Sequence, residues 1–138
     1  MEIARLKKRE TPPPAVFLSY ARADSAFATR LSNNLLKHNI DVWLDVYRLQ
    51  PARSWARQIG EALDTCQTMI VVLSPTSVAS ENVEDEWNYY LDHKKTTVVT
   101  LHQPCKVPYR LSKLQYIDFH SMSYDQALAR LIATLNTL

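Results

Sequence analysis

Four carboxylates crowd one short stretch of this chain: Glu81, Glu84, Asp85 and Glu86, inside the segment Ser74 to Lys95. They follow the apolar run Met69-Ile70-Val71-Val72-Leu73, whose length and β-branched content read as a buried strand. Pro75 bars helix at Ser74, and Ser77, Ser80 and Asn82 each offer a helix N-cap. Beyond them Val83, Trp87, Tyr90 and Leu91 recur at i, i+4, i+7 and i+8, one face of a helix. The acidic group therefore opens a helix at the carboxyl end of a strand, where open α/β sheets bind ligands. Acidic residues in a first turn also complement the helix dipole, worth about 0.3–1 kcal/mol each, so acidity alone does not make a site. Glu84 and Glu86 stand at opposite borders of the apolar stripe. Periodicity does not choose between them.

Other chemistries find less support. The chain has one glycine, Gly60, whereas a Walker loop or a GxGxxG fingerprint needs several so that backbone can approach phosphate. Both nucleotide-binding classes are excluded, and any nucleotide must be held by side chains and helix ends. A receiver-type phosphotransfer domain needs an acidic pair after its first strand to hold magnesium. Ser19-Tyr20-Ala21-Arg22 stands there instead, with no carboxylate before Asp24. His38, His93, His102 and His120 are not spaced as helical metal-binding pairs. No serine lies in a GxSxG elbow, and Ser19 and Ser74 have no identifiable base. Cys66 and Cys105 show neither CxxC nor zinc-finger spacing and read as packing thiols of a reduced, cytoplasmic chain.

The elements that must position these residues alternate. A length of 138 residues gives one domain, and 46% hydrophobic with 22% charged content is that of a globular protein. The net charge of +2 implies neither a nucleic-acid nor a membrane partner, and no apolar run reaches membrane-spanning length. Residues 1–14 are a basic, proline-rich lead, with Arg5, Lys7, Lys8 and Arg9 before Thr11-Pro12-Pro13-Pro14. A domain over 15–138 begins with strand Ala15 to Leu18. Asp24 is a good N-cap for a helix on Phe27, Leu31 and Leu35, closed by Lys37, His38 and Asn39. Strand Ile40 to Asp45 leads into an exposed loop broken by Pro51. Ser54 caps a helix with Trp55, Ile59, Ala62 and Leu63 on one face. After strand Thr68 to Leu73 and the acidic helix come strand Thr96 to Leu101, an irregular stretch over 102–114, and strand Leu114 to Phe119. Ser123 and Gln126 form a capping box for a last helix on Leu128, Leu131, Ile132 and Leu135. This order predicts an α/β, flavodoxin-like, five-stranded parallel sheet with helices on both faces. Its carboxyl edge brings together Ser19–Arg22, Asp45–Arg53 and Ser74–Asn82.

Assembled, the segments resemble a Toll/interleukin-1 receptor (TIR) domain over about residues 14–138. The markers are Val16-Phe17-Leu18-Ser19-Tyr20, Val42-Trp43-Leu44-Asp45, the loop Arg48 to Trp55, Val72-Leu73-Ser74-Pro75, and Ser80 to Glu86. The wording is similar to the TIR domains of bacterial signalling and anti-phage systems. Many of those are NAD⁺ glycohydrolases, which cleave the nicotinamide–ribose bond to nicotinamide and ADP-ribose or a cyclic isomer. The resemblance therefore implies a cytoplasmic immune or antiviral-defence effector, with NAD⁺ as substrate and no other cofactor. It implies Glu86 as the catalytic residue, with Tyr20, Arg22, Asp45, Arg48, Gln50 and Asn82 bordering the substrate. It also implies activation by self-association, in which the loop after the second strand packs on a neighbouring subunit, and a fused or partner sensor domain. The alternative is a non-enzymatic TIR–TIR adaptor. Two departures stand out. Ala52 replaces the glycine of the family's Pro-Gly-x-Ser-Trp loop, and Asn82 occupies the place of a tryptophan four residues before the glutamate. The second removes an aromatic platform that base stacking and product cyclisation would use.

Overall fold

The computed structural model describes residues 16–44 and 54–138; the lead over 1–14 and the loop over 45–53 lie outside them. Five parallel strands form one sheet in the order β2-β1-β3-β4-β5. They are β1 (Val16–Ser19), β2 (Val42–Trp43), β3 (Thr68–Leu73), β4 (Thr96–Leu101) and β5 (Tyr116–Asp118). The order reverses between β1 and β3, the switch point outside which ligands bind in sheets of this kind.

Side-chain alternation along β1 and β3 splits the core into two layers. Val16, Leu18, Ile70 and Val72 face helix α1 (Ser25–Lys37) and helix α6 (Tyr124–Asn136), packing on Ala28, Leu31, Leu35, Ala127 and Leu131. Phe17, Met69 and Val71 face the other way, against helix α2 (Trp55–Thr65) and helix α4 (Glu81–Asp92). There they meet Ala62, Leu63, Val83, Trp87 and Tyr90. Phe17 stacks on Trp43 at 4.9 Å between ring centroids. The Tyr90 hydroxyl donates to the Cys66 carbonyl at 2.8 Å, and burial pushes its pKa well above the usual phenol range. Both cysteines are free.

Helix boundaries follow the side chains. Ser54, Ser80 and Ser123 each accept a hydrogen bond from the backbone N–H three residues on. Of the three possible starts, Ser80 opens the acidic helix, while Ser74 and Ser77 form a capping box around the single turn α3 (Pro75–Val78). Asn39 ends α1 in the left-handed region at φ 64°, which asparagine tolerates better than most residues.

Some local expectations change, the second and fifth strands being shorter than the stretches over 40–45 and 114–119. Asp24 occupies the N-cap position of α1 but makes no side-chain cap; a 3₁₀ turn over Arg22–Asp24 carries its carboxylate inward to Ser74. Trp55 does not join the buried face of α2; as the first residue of the helix it is 54% exposed and lines a cleft. The stretch over 102–114 includes a single helical turn, α5 (Tyr109–Ser112), anchored by buried Leu111. Among the described residues, no helix is long and apolar enough to cross a membrane.

Candidate active site

A cleft of about 890 Å³ opens at the carboxyl end of β1, between α2 and α4. Its floor includes Phe17, Leu18 and Trp43; α2 supplies Trp55, Ala56 and Ile59; α4 supplies Asn82, Asp85, Glu86 and Tyr89. Tyr20, Arg22 and Ser25 line it from the segment after β1. The volume lies within the range typical of small-molecule pockets, about 300–1,000 Å³.

The geometry separates the two candidate glutamates. Ser19 follows Phe17 by one strand period and so shares its face of the sheet, beneath α4. Its hydroxyl, 1% exposed, donates to Glu86 Oε1 at 2.7 Å. Glu86 lies on the border of α4 that carries Asn82 and Tyr89, and Tyr89 bonds to Asp64 on α2. Glu84 lies on the border of Asn88 and Asp92, one and two turns further on. That side faces α5, whose Arg110 donates to Asn88 at 2.7 Å and pairs with Asp92 at 3.0 Å. Glu84 is exposed and outside the cleft, whereas Glu86 is half-buried within it. Tertiary packing, not periodicity, makes the distinction.

Of the other residues singled out in the sequence, Tyr20, Arg22 and Asn82 line the same cleft as Glu86. Asp45, Arg48 and Gln50 fall outside the described residues. Trp43, Trp55 and Ser25 escaped the sequence reading as cleft residues. Trp55 carried a usable signal, since a residue directly after an N-cap begins the helix at its exposed end.

A second polar group sits beside the first, at the carboxyl ends of β3 and β4. Ser74 Oγ donates to Asp24 Oδ2 at 2.5 Å, and His102 Nε2 stands 3.9 Å from Asp24 Oδ1. Phe27 stacks on the imidazole at 4.1 Å between centroids. Burial lowers the His102 pKa, and His120 adds to this, while Asp24 pulls the other way. Ser74 and Asp24 are 1% and 7% exposed. The carboxylate stands between serine and imidazole, the reverse of a hydrolase triad in which histidine takes the serine proton. The two serines that lacked a base in the sequence thus each donate to a carboxylate. Among the described residues, no three His, Cys, Asp or Glu side chains converge as a metal site requires.

The fold has close counterparts. The TIR domain of the Toll-related receptor TRR-2 from Hydra magnipapillata matches with a TM-score of 0.78 at 22% identity, over 87% of this chain and 95% of that one. The TIR domains of the activated Roq1 resistosome, which recognises the pathogen effector XopQ, match with a TM-score of 0.74 at 14% identity, over 87% and 98%. No curated protein sequence matches. The sequence profile described as TIR domain matches residues 16–132, almost the whole described fold. The chain belongs to the TIR domain family.

Proposed function

We propose that this TIR domain is an NAD⁺ glycohydrolase whose catalytic residue is Glu86. The observation that carries the reading is one half-buried carboxylate, held by Ser19 at 2.7 Å, on the wall of a cleft at the carboxyl end of β1. Nicotinamide in NAD⁺ is a cationic leaving group, so it departs neutral without a general acid. The bond electrons leave with it, and positive charge develops on the ribose carbon and ring oxygen. A carboxylate at Glu86 stabilises that charge and accepts hydrogen bonds from the ribose hydroxyls. Water then adds to the anomeric carbon and loses a proton to solvent, giving ADP-ribose.

Arg22, exposed at the cleft, is suited to the pyrophosphate. With Asn82 in place of an aromatic residue, the half-exposed Trp55 offers the cleft a ring on which a substrate base can stack. Asp45, Arg48 and Gln50 belong to the loop that, on this reading, meets a neighbouring subunit, so clustering is expected to raise activity. The expected setting is the cytoplasm, in an immune or antiviral effector.

The test is nicotinamide release from NAD⁺ by artificially clustered protein. Glu86→Gln is expected to be at least about 100-fold slower than wild type; equal rates would remove the assignment.

A second reading, an adaptor that only binds other TIR domains, is favoured by Asn82, which leaves the turn before Glu86 without its aromatic platform. It requires no turnover under any clustering condition, and partner binding that depends on Arg48 and Arg53.

A further inference from the structure

We propose that Ser19 is a positioning residue for Glu86, fixing the direction in which its carboxylate meets the substrate. This rests on the NAD⁺ glycohydrolase reading and deepens it. Ser19 closes β1, and its backbone is held in register with Val71 of β3. Phe17, one strand period earlier, is buried against Trp43 and Tyr90, so the face that carries Ser19 has no freedom to turn away. The hydroxyl is 1% exposed and has one proton, which it gives to Glu86 Oε1 at 2.7 Å. A glutamate side chain has three rotatable bonds. Anchoring one oxygen to a rigid strand end removes much of that freedom and sets the plane of the carboxylate.

Two consequences follow. The hydroxyl stabilises the ionised form, the one that opposes positive charge on ribose. It also restricts the carboxylate to one approach direction, and misplacing a catalytic group by about 1 Å can cost about 100-fold in rate. Ser19 itself transfers nothing. It is buried and does not line the cleft.

The test uses the full chain, clustered as for the turnover assay, with Ser19→Ala, Ser19→Thr, Glu86→Gln and the double variant Ser19→Ala/Glu86→Gln. Ser19→Ala is expected to lower kcat about 10- to 100-fold with little change in KM, the signature of an interaction made in the transition state. The acid limb of its kcat profile moves toward neutral pH, because a proton now competes for an oxygen that the hydroxyl no longer occupies. Ser19→Thr, which keeps the hydroxyl, restores most of the rate, and the double variant is no slower than Glu86→Gln. The ¹³C carboxyl signal of Glu86 reports the same change without turnover, titrating at higher pH in Ser19→Ala. If Glu86→Gln turns over like wild type, the glycohydrolase reading fails first. If Glu86→Gln is inactive while Ser19→Ala keeps the wild-type kcat, acid limb and Glu86 titration, the positioning role alone is overturned. A change confined to KM, or additive losses in the double variant, overturns it as well.

Discussion

Two serine–carboxylate pairs stand at the carboxyl edge of this sheet, and they differ mainly in access. Ser19 donates to Glu86 at 2.7 Å, and Ser74 donates to Asp24 at 2.5 Å. In the second pair both partners are sealed, at 1% and 7% exposure, beneath Phe27 and His102. In the first only the serine is sealed; the carboxylate lines a cleft of about 890 Å³. The same hydrogen bond therefore ties the 3₁₀ turn to the end of β3 in one place and, on the proposed function, presents a charge to a ligand in the other. The two pairs share a serine donor and a carboxylate acceptor and differ in the exposure of the acceptor.

The largest effect that would break this comparison is on turnover. Glu86→Gln keeps an acceptor for Ser19, so melting temperature should stay near wild type while nicotinamide release falls at least about 100-fold. A fall in stability with unchanged turnover would make the open pair a structural one. Asp24→Ala should do the reverse. Losing a buried acceptor leaves the Ser74 hydroxyl without its partner, costing on the order of 1–3 kcal/mol, read by urea unfolding. The kcat of the folded fraction should be nearly unchanged.

Smaller effects sharpen the contrast. Trp55→Ala removes a ring from the open cleft but from no packed core, so KM for NAD⁺ should rise about tenfold. Trp55→Phe should recover part of that loss, and unfolding curves should not move.

The smallest effect concerns pH. Burial lowers the His102 pKa below its ordinary 6.5, so the folded state prefers the neutral imidazole. The unfolded chain takes up the proton first as pH falls. Stability linked to His102 is therefore complete above 6.5 and declines below it. His102→Asn should flatten that decline, seen as a smaller difference between unfolding midpoints measured either side of 6.5.

Much of the architecture was legible from local pattern. The strands over 68–73 and 96–101 match their apolar runs because buried parallel strands carry β-branched residues without interruption. Caps at Ser54 and Ser123 were legible because capping needs only neighbouring residues, whereas Ser80 was one of three possible starts that the fold decided between. The second and fifth strands are shorter than their apolar stretches, Val42–Trp43 and Tyr116–Asp118, because edge strands pair on one side only.

What the chain determined by itself is the sheet order's raw material, the acidic helix at a strand end, and the exclusion of glycine-dependent phosphate loops by the single Gly60. Tertiary structure alone decided that Glu86 meets Ser19, that Glu84 faces away, and that Asp24 turns inward to Ser74. The reason is distance along the chain. Ser19 and Glu86 are 67 residues apart, and Asp24 and Ser74 are 50. Helical periodicity fixes which side chains share a face, but only the packing of α4 across β1 and α2 decides what each border of that face will meet.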